Sequence, residues 1–390
     1  MLIVDNSEFK EKVAIINSLG AHGSSFHFYI FGQVEGLVRA GVEVSIYTNN
    51  VTEDPNYAGV DFHQFYKNVY GRKSKLISGF KYILGSVFSL FHAKFNRVKI
   101  CHFHLFHVNI LVFFDFILSK ILGLKVVYTI HDVVSFENSR PKTKLSNWMY
   151  QRVNKILIHN QFCENVFRSH YPEVKTEIDI IPHGNYIPFI TIQKDKKKSR
   201  EYLDLPTEKT ILLFFGMIKK VKGLEVLLKA LRKVVDTNPD IVLLIAGRLW
   251  KNDFKVYQKI ITENNLSENI ILHTHFVSHE DVKYYYSASD LIILPYKKIF
   301  QSGVLMMSMS YEKAVLVSDL DPLTEVVQDM KTGFVFESGN PKSLSEKLNR
   351  ILLDSNKLEE VRINGLNHIK SKYDWLEIGK EMKKSYQSII

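Results

Sequence analysis

The chain has 390 residues, 46% of them hydrophobic and 24% charged, with a formal net charge of +10 and two cysteines. That length exceeds a single hydrophobic core and suits two domains of ordinary size, and the composition excludes a disordered chain. Cys101 and Cys163 have no pairing pattern around them, which excludes a disulfide scaffold or a zinc site and fits a reducing cytosol.

Residues 1–12 carry acids and no long apolar stretch, unlike a signal peptide. Residues 12–17 form a short apolar run of strand length. A small-residue turn follows, Gly20-Ala-His-Gly-Ser-Ser25, then a helix-like segment to Val38 and a next strand over residues 41–47. Between Phe62 and Phe114 stand eight Lys or Arg residues and no acid, a basic face that meets nucleic acid, anionic lipid or a phosphorylated substrate, or is merely solvated. Within it, Leu76, Ile77, Phe80, Ile83, Leu84, Val87, Phe88 and Phe91 repeat at helical spacing, with Arg72, Lys73, Lys75 and Lys81 near the start. A helix of this kind either lies in the interface of an anionic membrane or packs on the core. Residues 101–124 imitate a membrane span. Their polar members (His102, His104, His107, Asn109, Asp115 and Lys120) predict a buried strand and a buried helix instead.

Further apolar runs at residues 98–103, 125–130, 155–158 and 178–182 are separated by helical lengths, which gives a parallel sheet flanked by helices. The charged string Lys194-Asp-Lys-Lys-Lys-Ser-Arg200 reads as a linker. The alternation then restarts, with strands at 210–215, 241–245, 270–272, 291–294 and 315–317 and a helix from about Leu224. The chain ends in an amphipathic helix from Tyr373. The predicted fold is thus α/β, with an N-terminal Rossmann-like domain (1–190), a second (201–372) and a C-terminal helix (373–390).

In such sheets ligands sit at the carboxyl ends of strands, where loops and helix N-termini present N–H groups. In the second half, Phe215-Gly-Met-Ile-Lys-Lys-Val-Lys-Gly223 joins a strand, a glycine turn with three lysines and a helix start, a combination suited to a diphosphate. Gln301-Ser-Gly-Val304 stands at a helix N-terminus and either binds phosphate oxygens or is an ordinary N-cap at Ser302.

The second half resembles the donor domain of the retaining GT-B glycosyltransferases of family four. The resemblance rests on Gly216, Lys222-Gly223, Ala246-Gly247, Ala288-Ser-Asp290, Leu294-Pro-Tyr296, Ser302-Gly-Val304, Ser318-Asp319, Glu325 and Gly333. In the first half, Ile181-Pro-His-Gly184 resembles the segment leading into the family's linker, and Gly20–Ser25 its first glycine-rich loop. The resemblance implies a GT-B fold of two facing Rossmann-like domains, with the C-terminal helix returning to the first. Donor is held in the second domain and acceptor in the first, and chemistry takes place in the cleft. Lys222 is implied on the donor diphosphate, with Lys219 or Lys220 supplying the charge of an arginine replaced here by Met217. Gly23, Gly216, Gly247, Ser302, Gly303, Val304 and Glu325 are the other implied donor contacts. The family's Glu-x7-Glu pair falls on Ile299 and Met307, so both acids are absent.

His102 and His104 alternate onto one face of a strand end, and His104 matches the family histidine beside the reacting sugar. There it would bond a sugar hydroxyl and stabilise charge at an oxocarbenium-like centre. His131 and Asp132 close the next strand and are expected on the acceptor side; His107 is read as structural. The implied activity is metal-free retaining transfer of a hexose from a UDP- or GDP-sugar to a glycan or polyprenyl-diphosphate-linked acceptor, with no cofactor. It implies an assembler of surface polysaccharide, cytoplasmic or peripheral at the inner face of an anionic membrane. Two rivals stand beside it: a sugar-nucleotide epimerase, which needs acids that few strand ends here offer, and a non-catalytic subunit of the same fold. Nucleic acid is not an expected partner, since no aromatic-basic recognition motif appears.

Overall fold

The apolar runs form two separate all-parallel sheets, because crossover helices cover both faces and leave no edge-on polar alternation to maintain. They are seen in a computed structural model, which describes residues 9–22, 26–71, 74–134, 144–192, 195–250 and 253–390. One compact unit comprises Met1–Gly184 together with Tyr373–Ile390, and the other comprises Asn185–Lys372. The arginine and lysine at positions 72 and 73, and Gly23 of the glycine-rich loop, lie outside the described residues.

The first unit contains β1 (Lys12–Asn17), β2 (Val44–Asn49), β3 (Val60–Tyr66), β4 (Val98–Leu105), β5 (Lys125–Ile130), β6 (Lys155–Ile158) and β7 (Ile178–Ile180). Their order is β3-β2-β1-β4-β5-β6-β7. Around them lie α1 (Phe26–Arg39), α2 (Lys75–Phe95), α3 (Ile110–Ile121), α4 (Lys144–Tyr150) and α5 (Gln161–His170). In the second unit, β8 (Thr210–Phe215), β9 (Ile241–Ala246), β10 (Ile270–His273), β11 (Leu291–Leu294), β12 (Val315–Ser318) and β13 (Phe334–Phe336) take the order β10-β9-β8-β11-β12-β13. Its helices are α6 (Lys196–Tyr202), α7 (Leu224–Thr237), α8 (Lys255–Glu263), α9 (Val282–Ala288), α10 (Gly303–Ser310), α11 (Asp321–Thr324), α12 (Pro341–Leu353) and α13 (Ser355–Lys372). Both sheets reverse direction once, between β1 and β4 and between β8 and β11, and each reversal opens a crevice beyond the strand ends.

The last helix, α14 (Trp375–Gln387), belongs to the first unit and packs on α1. Small residues allow this: a Cβ on Gly379 would stand 2.1 Å from the Gly36 carbonyl oxygen, and one on Gly36 would stand 2.0 Å from that of Trp375. Asp374 caps the helix by accepting from the Leu376 N–H at 2.8 Å, and Tyr386 hydrogen-bonds His102 Nδ1 at 2.7 Å.

Three expectations change. The string read as a linker is α6, capped by the Asp195 side chain; Arg200 is buried and pairs with Asp290 at 2.8 Å while its Nε donates to the Ala288 carbonyl. Arg200 serves packing while Lys196, Lys197 and Lys198 stay exposed, so composition alone misreads the segment. The helix α3 covers one face of the sheet rather than lying buried, with Ile110 and Ile121 exposed and Asp115, Phe116 and Ser119 inward. His102 and His104 lie within β4, which runs on to Leu105. Of the two alternatives for α2, packing of the apolar face on the core does not hold: its inward face is Gly85, Ser86, Ser89, Leu90 and Ala93 while Leu76, Ile77, Phe80, Leu84, Phe88, Phe91 and Phe95 are exposed. Among the described residues, this is the one helix long and apolar enough to cross a membrane by length and composition; it packs on β3, β4 and α3.

Candidate functional site

In the second unit the carboxyl ends of β8, β9 and β11 converge on glycines. Gly247 has φ 135° just after β9, and a Cβ there would fall 2.1 Å from the Gly216 carbonyl oxygen. Gly223 has φ 67°, ends the turn Lys220–Lys222 and opens α7; a Cβ there would fall 1.8 Å from the Pro295 carbonyl oxygen. Only glycine fits such close approaches in a left-handed backbone. A Cβ on Gly216 would also touch Val304 Cγ2 at 3.3 Å, which places the start of α10 against the same turn. There the Ser302 side chain accepts from the Leu305 N–H at 3.2 Å. The capping reading of Ser302 therefore holds, and the N–H groups of Gly303 and Val304 at the first turn have no intrahelical acceptor.

Two lysines border this turn. Lys222 Nζ lies 3.6 Å from the centroid of the Tyr296 ring, and Lys219 Nζ lies 5.0 Å from that of Trp250. The ring faces hold two ammonium groups beside the glycine turn that the start of α10 also meets, and cations and helix N-termini together suit an anion. Lys297 is paired with Glu225, and its N–H donates to the Val221 carbonyl at 2.8 Å. Tyr296 is fully buried, its carbonyl accepting from Ser318 Oγ at 2.6 Å and Ser338 Oγ at 3.1 Å. Glu325 is exposed at the end of α11. The positions of the missing acids are a part-buried Ile299 and a buried Met307 inside α10. Asp290 of the family-like string has a structural task, accepting from Arg200, Lys196 and the Ile211 N–H.

The crevice between β1 and β4 in the first unit holds a cavity of about 530 Å³. Asn17, Tyr70, Tyr82, His104, Phe106 and Asp115 are among its lining residues. Asp115 is 2% exposed; Tyr82 donates to its Oδ2 at 2.5 Å, and its Oδ1 has no hydrogen-bond partner. Burial pushes this carboxyl up to about 7. His104 also lines the cavity, its ring stacked on that of His102 with centroids 4.8 Å apart.

Behind His104 the strand ends supply further imidazoles. His104 Nδ1 is 3.1 Å from His131 Nε2, His131 Nδ1 is 3.0 Å from His159 Nε2, and His159 Nδ1 is 3.0 Å from the Ile181 carbonyl oxygen. His183 Nδ1 donates to the Gly184 carbonyl at 2.7 Å. Tyr29 presses edge-on against His104, His131 and His159, and Phe106 stacks on His131 with centroids 4.9 Å apart. Burial holds all these rings neutral: His102 and His183 are pushed down to about 3, His159 to about 4, and His104 and His131 well below the ordinary range. No group of three or more His, Cys, Asp or Glu among the described residues is placed to hold a metal ion.

Sequence reasoning found His104 and His131 but passed over His159, His183 and Asp115. The signal for His159 was present. His131 and His159 each stand immediately after a strand, so parallel register stacks them at one sheet end. Asp115 gives no comparable signal, since a single acid in an apolar helix is visible only once its neighbours are known. His131 is 1% exposed behind His104, and Asp132 is exposed. His107 is 3.2 Å from the Asn109 side-chain amide.

The pattern described as "Glycosyl transferases group 1" matches residues 195–368, and that described as "Glycosyltransferase Family 4" matches residues 28–185. The capsular polysaccharide biosynthesis glycosyltransferase CapM of Staphylococcus aureus is 23% identical over 55% of this chain and 57% of its own length. Two other curated relatives are matched over 65% and 68% of their lengths, so about two thirds of such proteins is spanned. Among solved structures, sucrose-phosphate synthase from Thermosynechococcus elongatus superposes with TM-score 0.74 at 19% identity, covering 97% of this chain and 99% of that one. Anabaena HepE in complex with UDP-glucose superposes with TM-score 0.72 at 16% identity over 97% and 99%.

Proposed function

The chain belongs to the group 1 glycosyltransferases, and we propose that it moves a hexose from a UDP- or GDP-sugar to a glycan or lipid-linked acceptor with retention, in surface polysaccharide synthesis. The observation that carries the donor half is the glycine-lined turn where Lys222, Lys219 and the start of α10 meet. Cations and helix N–H groups there would hold the diphosphate and stabilise its departure without a metal. The complex of HepE with UDP-glucose and the capsular role of CapM support the donor class and the pathway.

The exposed apolar face of α2 supports a peripheral position at an anionic membrane. Seven large apolar side chains, Leu76 through Phe95, face outward, and Lys75, Lys94, Arg97 and Lys99 are exposed around them. Apolar surface entering the acyl boundary and basic residues at the headgroups would bring the first unit to a polyprenyl-diphosphate-linked acceptor. One observation favours the second reading, a non-catalytic subunit: Ile299 and Met307 where the family places acids. Binding and turnover separate the two. Lys222→Ala should weaken UDP or GDP binding by roughly 1.5–3 kcal/mol, the worth of a charge-assisted contact. Calorimetry showing equal affinity in variant and wild type would place the diphosphate elsewhere. Tight nucleotide binding without sugar transfer or hydrolysis would favour the subunit.

A further inference from the structure

The chain His104–His131–His159–Ile181 has a fixed direction. A backbone carbonyl only accepts, so the 3.0 Å contact with the Ile181 oxygen requires a proton on His159 Nδ1. A neutral His159 then has a lone pair at Nε2, which accepts from His131 Nδ1–H at 3.0 Å. The same step repeats: His131 Nε2 accepts from His104 Nδ1–H at 3.1 Å. His104 Nε2 is what remains, a buried lone pair with no hydrogen-bond partner, on a residue that lines the cavity of the first unit. Burial keeps each ring neutral, which the argument requires, since a charged imidazole would present N–H on both sides.

We infer that His131 and His159 are positioning residues that lock His104 as the Nδ1–H tautomer, so that its Nε2 meets the substrate as a hydrogen-bond acceptor. The ligand class follows. A buried lone pair on His104, a residue lining a cavity that Asp115 and Lys75 also line, accepts from a hydroxyl donor, while Lys75 would meet an anionic group elsewhere on the same ligand. The group received at His104 is therefore a neutral sugar hydroxyl. Tyr29 and Phe106 keep the rings in register by packing on them. This assignment rests on the transferase reading for its substrate, but the tautomer itself does not.

The full-length protein, labelled with ¹⁵N at histidine, is examined by long-range ¹⁵N NMR at neutral pH, and the His104 signals are identified by their loss in His104→Gln. The expected pattern is a pyrrole-type shift for Nδ1 and a pyridine-type shift for Nε2. In His159→Phe, which removes the link to Ile181, His104 should move toward the Nε2–H form, with kcat falling at least tenfold and donor KM within threefold. In His159→Gln, whose amide both donates to the carbonyl and accepts from His131, the tautomer and most of kcat should return. A protonated Nε2 in the wild type, or an unchanged tautomer in His159→Phe, overturns the relay; if His159→Phe does not fold, the wild-type tautomer decides alone. A correct tautomer in a protein without transferase activity leaves the relay standing and removes the proposed reaction.

Discussion

The buried imidazoles make stability depend on acid in a way that can be worked out. Three have fractional exposures of 0%, 5% and 8% and pKa values pushed by burial to about 3, 4 and 3: His102, His159 and His183. In the unfolded chain each titrates near 6.5. Below that pH the unfolded state takes up protons that the folded state refuses, so their stabilisation is complete above about 6.5 and is lost as pH falls toward 4. Between pH 6.5 and 5.5 each contributes a loss of about 1 kcal/mol, about 3 together. Asp115 acts the other way: its carboxyl is raised to about 7, so the folded state holds a proton that the unfolded state has released. Over the same interval acidification recovers about 1 kcal/mol through it. The histidines win, and because His104 and His131 are shifted the same way, net stability should fall by at least about 2 kcal/mol, roughly 1 M or more in a urea midpoint for a slope near 2 kcal/mol/M. The assay is urea unfolding at both pH values, read by tryptophan fluorescence, since Trp148 and Trp375 lie in the unit that holds the imidazoles. His159→Gln should remove about a third of the histidine part. An unchanged or higher midpoint at pH 5.5 would refute the neutral buried relay.

His104→Ala should reduce kcat roughly a hundredfold or more with little change in nucleotide affinity, because its contact with the sugar strengthens in the transition state; equal kcat in steady-state assays would make it structural. Gly247→Ala should destabilise the second unit by about 2 kcal/mol or more, since its Cβ meets the Gly216 carbonyl at 2.1 Å in a backbone with φ 135°; an unshifted thermal midpoint would contradict the packing of that turn. Phe80→Asp with Phe88→Asp should abolish sedimentation with anionic vesicles while leaving nucleotide binding intact, and wild-type binding should weaken with salt. Equal binding of wild type and variant would remove α2 from the membrane contact.

Strands covered on both faces were legible because they need continuous apolar runs, and β1, β5, β6 and β8 fall on the expected residues. The edge strand β3 was not, since Asp61, His63 and Gln64 alternate with apolar residues and resemble a loop. Nor was β13, at three residues. The glycine–lysine turn was readable from order and spacing, because close backbone approach admits only glycine. Lys219 and Lys222 were expected there, but their aromatic supports Trp250 and Tyr296 come from strand ends distant in sequence. For α2 a helical moment states that one face is apolar but not what covers it, so both alternatives stood until Gly85, Ser86 and Ser89 were seen to face the sheet.

The two crevices share a strand order yet divide the chemistry by charge. Beyond β8 and β11 the chain supplies ammonium groups over aromatic faces and unshared N–H groups, all of which gain from an anion. Beyond β1 and β4 it supplies an acceptor nitrogen on His104, a carboxyl oxygen on Asp115 without a donor, and rings whose burial resists protonation. A neutral hydroxyl in the second crevice would gain little from the lysines' charge. Burial does the sorting. It shifts Asp115 up and His104 down, so at those two residues of the first crevice what remains is hydrogen-bond direction rather than electrostatic attraction. Direction is what distinguishes one sugar hydroxyl from another, while attraction suits the leaving group common to every nucleotide sugar.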